Sequence, residues 1–423
     1  MSVPAAVDHE QGSPGWRRTN FLSIMCVFLL TVSFSFTVPF LPLYLQDIDG
    51  LSGPDAALWA GIATGLGGIG SFFGGPLWGA LGDRFGRKPM LVRASFAGAT
   101  GLLLLGLCTS TWQVVVIRGL IGFMAGAPAA AMALIATGTP RSLLSRALGQ
   151  TQAAMLAGLA LGPVFAAVAV GFLGYRNTFI AAGILMYSGS IVSALFIREE
   201  RVPYVKPAKG TGALRLALRT PVVWSALVVV LTLSYAAAMI QPVLPPFVVT
   251  LLPDGASTTA VVGWLFFGIS AASAISAVLA GRLIRRFGLQ PVLLVSVLGV
   301  AVFLLPAGMS STVGQLAILV IAMSLFQGSL QTSTVALLPG VVSAAAVSSV
   351  FGLYQSVSAL SAQLGPAVGG GLAAAFGFEA VFPIAGTALL VLGLPALYVF
   401  RRLAHTHHAT IAAGEQAVSP GVP

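Results

Sequence analysis

Side chains able to do chemistry are scarce in this chain, and the densest group of them is Gly79-Ala80-Leu81-Gly82-Asp83-Arg84-Phe85-Gly86-Arg87-Lys88. Asp83 ends an incoming apolar run, and Gly86 permits a backbone reversal that a side chain would obstruct. Arg87 and Lys88 suit the water beside anionic headgroups. A carboxylate in such a turn can pair with a neighbouring arginine or with the positive N-terminal end of another helix. The other outlying charge is Arg118, in Arg118-Gly119-Leu120-Ile121-Gly122, which falls well inside an apolar run. An arginine at the centre of a spanning helix costs about 2.5–3.5 kcal/mol, so one that is retained normally faces an interior cavity or a partner. The plainer alternative is a position nearer the interface, from which the side chain snorkels.

Neither group is an enzyme's. No nucleophile elbow, zinc-ligand helix or phosphate loop occurs. Gly65-Leu66-Gly67-Gly68-Ile69-Gly70 fits a dinucleotide-binding pattern on paper. No strand precedes it and it lies within an apolar run, so it reads as a packing face. His9, His405, His407 and His408 all lie in the tails, where a weak metal site among the last three is the alternative to a plain tail, and no metal or cofactor is expected. Cys26 and Cys108 fall inside apolar runs and read as small apolar residues rather than a disulfide framework.

The elements that must position these residues follow from composition. Of 423 residues, 57% are hydrophobic and only 8% charged, with a mean hydropathy of +0.96. That is an all-α polytopic membrane protein. The net charge of +10 would suggest nucleic acid, but the cations fall between apolar runs rather than on one face. The run from Phe21 to Leu45 is too long for a signal-peptide core and is expected to stay as the first span. Twelve helices are expected, beginning near Asn20, Ala57, Pro89, Gln113, Ala147, Thr178, Pro221, Thr259, Pro291, Gly314, Ala345 and Glu379. Alternate loops then hold all of the 21 lysines and arginines except Arg118 and Arg176. The positive-inside rule puts both termini and the central loop in the cytoplasm, and a multi-pass location in the plasma (inner) membrane is expected. The opposite side carries Asp47, Asp49, Asp55, Asp254 and Glu379.

One long polar interruption, residues 198–219, divides the chain near its midpoint. The expected organisation is a tail at 1–19, a six-helix bundle at 20–197, the linker, a second bundle at 220–400 and a tail at 401–423. An internal repeat supports it. A shift of 203 maps Pro39, Leu41 and Pro42 onto Pro242, Leu244 and Pro245, and Gly149 and Gln152 onto Gly352 and Gln355. It also maps Gly162-Pro163 onto Gly365-Pro366, and Gly174 and Phe179 onto Gly377 and Phe382. A shift of 202 lays the charged turn on Gly281-Arg282-Leu283-Ile284-Arg285-Arg286-Phe287-Gly288, where Arg285 replaces the aspartate.

The turn resembles the loop signature between helices two and three of the major facilitator superfamily, and Arg118 with Gly122 resembles its fourth-helix signature. Gly158-Leu159-Ala160-Leu161-Gly162-Pro163 resembles the antiporter signature, although the glycine pair that should follow is Ala166-Ala167 here. Close helix packing is a complete alternative account of these small residues. Val38-Pro39-Phe40-Leu41-Pro42-Leu43-Tyr44, Trp112-Gln113, Ala133-Leu134-Ile135-Ala136-Thr137 and Pro140-Arg141 look like the MdtG-type multidrug exporters of the twelve-helix drug:proton branch. The resemblance implies alternating access of two halves about a midplane site. It assigns gating or coupling to Gly79, Asp83, Arg84, Gly86, Arg87, Lys88, Arg118, Gly122, Gly158, Gly162 and Pro163. Asp83 is expected to latch the outward-facing state through Arg87 or through a helix N-terminus of the other half.

The same resemblance makes spans one, four, seven and ten line the cavity. Phe36, Phe40, Met124, Tyr235, Met239, Gln241, Phe326, Gln327 and Gln331 are the candidate contacts, joined by Gln152 and Gln355 from spans five and eleven. Aromatic, Met-rich walls with few polar groups suit bulky lipophilic ligands better than sugars. The expected function is secondary active transport, proton-driven export of lipophilic small molecules by a monomer. No Asp, Glu or His lies in a span interior, so no proton carrier is assigned. A solute:proton importer or facilitator of the same fold and a transport-inactive membrane sensor are the alternatives.

Overall fold

A computed structural model describes residues 15–35, 37–197, 199, 220–253, 256–337 and 347–403, with the side chains of residues 37, 38, 83, 141, 347–353 and 355 outside the description. Among the described residues every regular element is helical. A bilayer has no water to satisfy exposed peptide groups, so each apolar run must close its hydrogen bonds within itself.

Span one comprises α1 (Trp16–Ser35) and α2 (Thr37–Asp49), followed by α3 (Gly53–Phe85) and α4 (Arg87–Leu107). The fourth span is broken into α5 (Thr111–Phe123) and α6 (Ala127–Gly138), and α7 runs from Arg141 to Phe196. In the second half α8 (Pro221–Ala238) and α9 (Leu244–Leu251) are followed by α10 (Thr258–Phe287), α11 (Leu289–Leu304), α12 (Val313–Ala336), α13 (Val347–Phe376) and α14 (Phe378–Ala388). Eleven described stretches are long and apolar enough to cross a membrane, and one of them, Ser142–Phe196, has 55 residues. A helix of that length is roughly 80 Å long, against a hydrocarbon core of about 30 Å. It bends at Gly174, with φ 74° and ψ 172°, and supplies two crossings. The count is therefore the twelve that the pattern of apolar runs predicts, with starts within a few residues of those expected.

Large apolar side chains lie on the outer faces, among them Phe172 at 85% exposed and Met309 at 86%. In lipid this costs nothing, so hydrophobicity alone cannot drive these helices together, and small residues do it by close backbone approach. On α3 a methyl group at Gly70 would stand 2.7 Å from the Phe123 nitrogen, and one at Gly67 would stand 3.2 Å from the Arg118 carbonyl oxygen. On α5 a methyl group at Gly122 would overlap the Gly67 carbonyl. The glycine run at 65–70 is thus the packing face that its place in an apolar run predicts.

The internal repeat is visible in backbone angles and in bonds between spans. Gly86 and Gly288 have φ 103° and 86°, each with ψ 163°. Gly174 and Gly377 likewise share φ 74° and 82° with ψ 172° and 167°. Ser71 Oγ donates to the Gly122 carbonyl at 3.0 Å, and at the shift of 202 Ser273 Oγ donates to the Ser324 carbonyl at 3.2 Å. By contacts, the described residues of Met1–Val205 and Gln241–Ser270 form one compact unit, and those of Lys206–Ile240 and Ala271–Pro423 the other. Within the first unit α9 packs on α2 and α3. Residues 241–270, from the end of span seven into span eight, thus group with the described part of the first six helices.

Candidate functional site

The charged turn is held by a residue from far along the chain. Gly86 separates α3 from α4, and its positive φ of 103° is one that an L side chain rarely adopts. The first two amides of α4 then point at Glu199, three residues past the end of α7. Arg87 N–H donates to Glu199 Oε1 at 2.7 Å and Lys88 N–H to Oε2 at 2.8 Å. A methyl group at Gly86 would stand 2.8 Å from Glu199 Oε2, so the glycine also makes room for the carboxylate. A negative charge at a helix N-terminus contributes about 0.3–1 kcal/mol. The Arg87 side chain reaches the far end of span four, donating through Nη1 to the Ala133 carbonyl at 3.1 Å. The loop between spans two and three, span four and the end of span six are therefore tied in one cluster. Arg84 is exposed, with its guanidinium 5.5 Å from the Phe85 ring centroid. Gly79 is exposed and meets no close neighbour. The Asp83 side chain lies outside the described residues.

Arg118 is 5% exposed. Its guanidinium lies 5.2 Å from the centroid of Phe34 on α1, and its Nε has no hydrogen-bond partner. Six residues on, span four breaks at Met124-Ala125-Gly126, where Gly126 has φ 124°. Two side chains take up peptide oxygens freed there. Trp78 Nε1 donates to the Phe123 carbonyl at 2.8 Å, and Arg93 Nη2 to the Ala125 carbonyl at 3.3 Å. The Arg93 guanidinium lies 3.6 Å above the Trp78 ring, and its Nη1 is 3.7 Å from Met124 Sδ. A broken helix near an interior cation is the local architecture that transporters use to present backbone groups to a cavity.

Gly158 and Gly162 face α1. A methyl group at Gly158 would stand 2.8 Å from Thr31 Cβ, and one at Gly162 would overlap Ser35 Oγ. Ser35 Oγ closes this seam by donating to the Gly158 carbonyl at 3.2 Å. One turn beyond Pro163, Ala167 meets α10 at Gly263. A methyl group at Gly263 would overlap Ala167 Cβ and stand 3.0 Å from the Pro163 carbonyl. The glycine missing from the antiporter pattern at 167 is thus matched by one on the opposing helix.

The candidate cavity residues have varied surroundings. In the first unit Phe40 is 1% exposed, with its ring 6.4 Å from Tyr175, whereas Gln152 and Gln241 are exposed. In the second unit Met239 is 3% exposed, Tyr235 and Gln327 are half-buried and Gln331 is exposed. Phe326 stacks on Phe303 at 5.9 Å and shares the wall of an apolar cavity of about 400 Å³ with Ser276 and Ser329. Phe36 and the Gln355 side chain lie outside the described residues.

Sequence reasoning passed over Glu199 and Arg93, treating one as linker and the other as a loop cation. The signal for Glu199 was an acidic residue just past the end of the last span before the linker. For Arg93 it was a cation that the helix pattern puts inside span three, about one turn from its expected start at Pro89. Outside the membrane interior Asp49 repeats the Glu199 arrangement, its Oδ2 accepting from the first amide of α5, Thr111 N–H, at 2.6 Å.

The family model described as Major Facilitator Superfamily matches residues 23–260 and 247–421. Multidrug resistance protein MdtG of Enterobacter lignolyticus is 31% identical over 380 residues, 89% of this chain and 90% of the relative. The protein of that name from Salmonella arizonae is 30% identical over 93% of this chain and 98% of its own. Among solved structures, a bacterial homolog to the human lysosomal transporter Spinster, inward-facing and unoccupied, superposes with TM-score 0.80 at 15% identity over 94% of this chain and 98% of that one. The nucleoside transporter NupG gives 0.73 at 14% identity over 91% and 98%. These two likenesses are of fold.

Proposed function

The chain belongs to the major facilitator superfamily and is a multi-pass secondary active transporter, not an enzyme, and from that premise we propose that it exports lipophilic small molecules with protons as the driving ion. The observation that carries the reading is the 31% identity to a multidrug resistance protein along nearly the whole of both chains. The aromatic and methionine side chains among the candidate contacts support it, because such groups match apolar ligands, while the five glutamines supply polar contacts. The family resemblance suggests a monomer in the plasma (inner) membrane, and the cation distribution supports cytoplasmic placement of both termini.

Two bundles, 20–197 and 220–400, alternate about a midplane site and the linker 198–219 joins them. The turn at Gly79, Asp83, Arg84, Gly86, Arg87 and Lys88 latches one state, and Glu199 holds the turn in shape. Arg118 with Gly122 carries the coupling response, while Gly158, Gly162 and Pro163 set the approach of span five to its neighbours. Phe36, Phe40, Met124, Gln152, Tyr235, Met239, Gln241, Phe326, Gln327, Gln331 and Gln355 supply the substrate contacts.

Inverted membrane vesicles with an imposed proton gradient test this directly. A panel of fluorescent lipophilic compounds is added outside, and wild type is compared with Asp83→Asn and Arg118→Ala at equal membrane levels. Gradient-dependent accumulation by wild type that both variants lose is expected. Absence of accumulation by wild type across a chemically broad panel overturns the exporter reading in favour of a transporter for one specific solute.

A further inference from the structure

The apolar cavity of about 400 Å³ between α10, α11 and α12 lies wholly within the second unit. Leu279, Leu283 and Phe287 line it from α10, Val295 from α11 and Leu325 from α12, each of them 40–56% exposed at the outer face. Of its serines, Ser276 Oγ accepts from the Ser329 N–H at 2.9 Å and Ser296 Oγ donates to the Val292 carbonyl at 2.8 Å. These hydroxyl groups are engaged by the protein, and the walls are left apolar. Along α10 the lining runs from Ser276 to Phe287, eleven residues or roughly 16 Å, which is one leaflet of a hydrocarbon core of about 30 Å.

The repeat accounts for the space. At the shift of 202, Trp78 and Arg93 of the first half become Ala280 and Val295. Where the first half puts an indole ring with a guanidinium 3.6 Å above it, the second has a methyl and an isopropyl group. The break in span four that those two large side chains serve has no counterpart in the continuous α12. The turn at the mouth of the cavity differs from its first-half counterpart as well. Asp83 and Glu199 correspond, at shifts of 202 and 203, to Arg285 and Arg402. Between Asp254 and Glu379 the chain has no acidic residue, while Arg282, Arg285 and Arg286 are exposed. The Arg286 guanidinium lies 5.3 Å from the ring centroid of Phe287, itself part of the cavity wall.

We infer that this cavity holds one acyl chain of an anionic phospholipid, whose phosphate meets Arg286 and Arg282 at the mouth. An apolar cavity stays dry and takes apolar guests, and this one opens to the outer face, where the solvent is acyl chain. Guanidinium groups match phosphate oxygens in geometry as well as charge. Phosphate, glycerol and chain then follow α10 inward in the order in which a phospholipid carries them. A lipophilic cation, the other amphiphile of suitable size, would bring its charge against three arginines.

A phosphatidylglycerol with a diazirine in its acyl chain tests the assignment, added to the full chain in proteoliposomes of phosphatidylcholine. After irradiation, mass spectrometry of the peptides locates the adducts. The readout needs no transport, so it succeeds or fails independently of the export reading. Adducts are expected to be about tenfold more frequent on the cavity residues of α10 and α11 than on the peptide holding Phe172, which is 85% exposed at the outer face. Unlabelled phosphatidylglycerol should compete for the cavity and unlabelled phosphatidylcholine should not. Val295→Trp, at a lipid-facing position, is expected to fill the cavity and remove the excess. Arg282→Gln with Arg286→Gln should abolish the preference for the phosphatidylglycerol probe over a phosphatidylcholine probe with the same chain. The wild-type adduct map decides the matter whether or not these variants fold. Adducts spread evenly over the outer-face peptides overturn the assignment, as does an equal excess for both probes in wild type. Displacement of the probe by the lipophilic compounds of the transport panel also overturns it and would make the cavity a cargo site.

Discussion

At the residue scale the two charges that matter most are balanced by different physics. Arg118 is 5% exposed and has Phe34 5.2 Å away as its nearest aromatic face. A desolvated cation–π contact contributes about 2 kcal/mol, a large part of the roughly 2.5–3.5 kcal/mol that an arginine costs at mid-membrane. Phe34 is thus a partner in keeping the cation there. Phe34→Tyr, which preserves the ring face, is expected to transport like wild type in the vesicle assay. Phe34→Leu is expected to lose most transport at normal membrane levels, and equal rates for the two variants would show that the ring is not needed. Glu199 works by hydrogen bonding to two backbone amides at 2.7 and 2.8 Å. Glu199→Gln offers one oxygen and no charge in place of two oxygens and a charge. A loss of about 1 kcal/mol lowers the melting temperature by roughly 2–4 °C in a unit of about 200 residues. Differential scanning fluorimetry in detergent reads it, and Glu199→Ala should fall at least as far.

At the element scale, span four and the seam between spans five and eight carry the argument. The break at Met124–Gly126 leaves peptide oxygens that a continuous helix would have bonded internally, and Trp78 and Arg93 take two of them. Arg93 also lies 3.6 Å over the Trp78 ring, a cation–π contact of about 0.5–2 kcal/mol. Arg93→Ala should therefore reduce the amount of folded protein on size-exclusion chromatography, whereas Arg93→Lys should recover part of it. At the other seam Gly263 leaves the space that the Ala167 methyl occupies. Gly263→Ala alone is expected to push the helices apart and depress transport severalfold. Moving the methyl group across the seam, Ala167→Gly with Gly263→Ala, should restore more than half of the lost rate. Contacting residues couple in this way and distant ones do not, so a strictly additive double mutant would remove the seam from the mechanism.

At the scale of the whole molecule the proposed orientation follows from where cations lie and is open to direct reading. Cys26 and Cys108 are both 2% exposed, so background labelling of the native thiols should be low. A cysteine placed at Arg282 is expected to react with a membrane-impermeant maleimide in inverted vesicles and to be silent in intact cells. One placed at Thr109 should show the reverse, and the opposite pair of results would turn the protein over in the membrane. The contact units add a structural point. Gln241–Ser270 belongs with the described part of the first six helices, so the division by contacts cuts through spans seven and eight and not at the linker alone.

The number of spans and the twofold repeat were legible in the sequence, because a bilayer demands about 20 apolar residues per crossing and leaves few ways to satisfy the backbone. The turn at 79–88 was legible for the same reason, since only a loop at a membrane face tolerates that density of charge. Even the shift of 202–203 between halves was readable, and the matching angles of Gly86 with Gly288 and of Gly174 with Gly377 show the same turns built twice. Partners were not legible. That Glu199 meets Arg87 and Lys88, 112 and 111 residues away, depends on where the sixth span ends relative to the third. That Phe34 lies beside Arg118 depends on the rotation of α1 against α5. Nor could the sequence say that Gly263 answers Ala167, because complementary sizes across a seam leave no periodic signal in either helix. Hydropathy and charge act on each residue according to its solvent, and a single chain records them. Side-chain pairing depends on distances between helices, which exist only once the helices have packed.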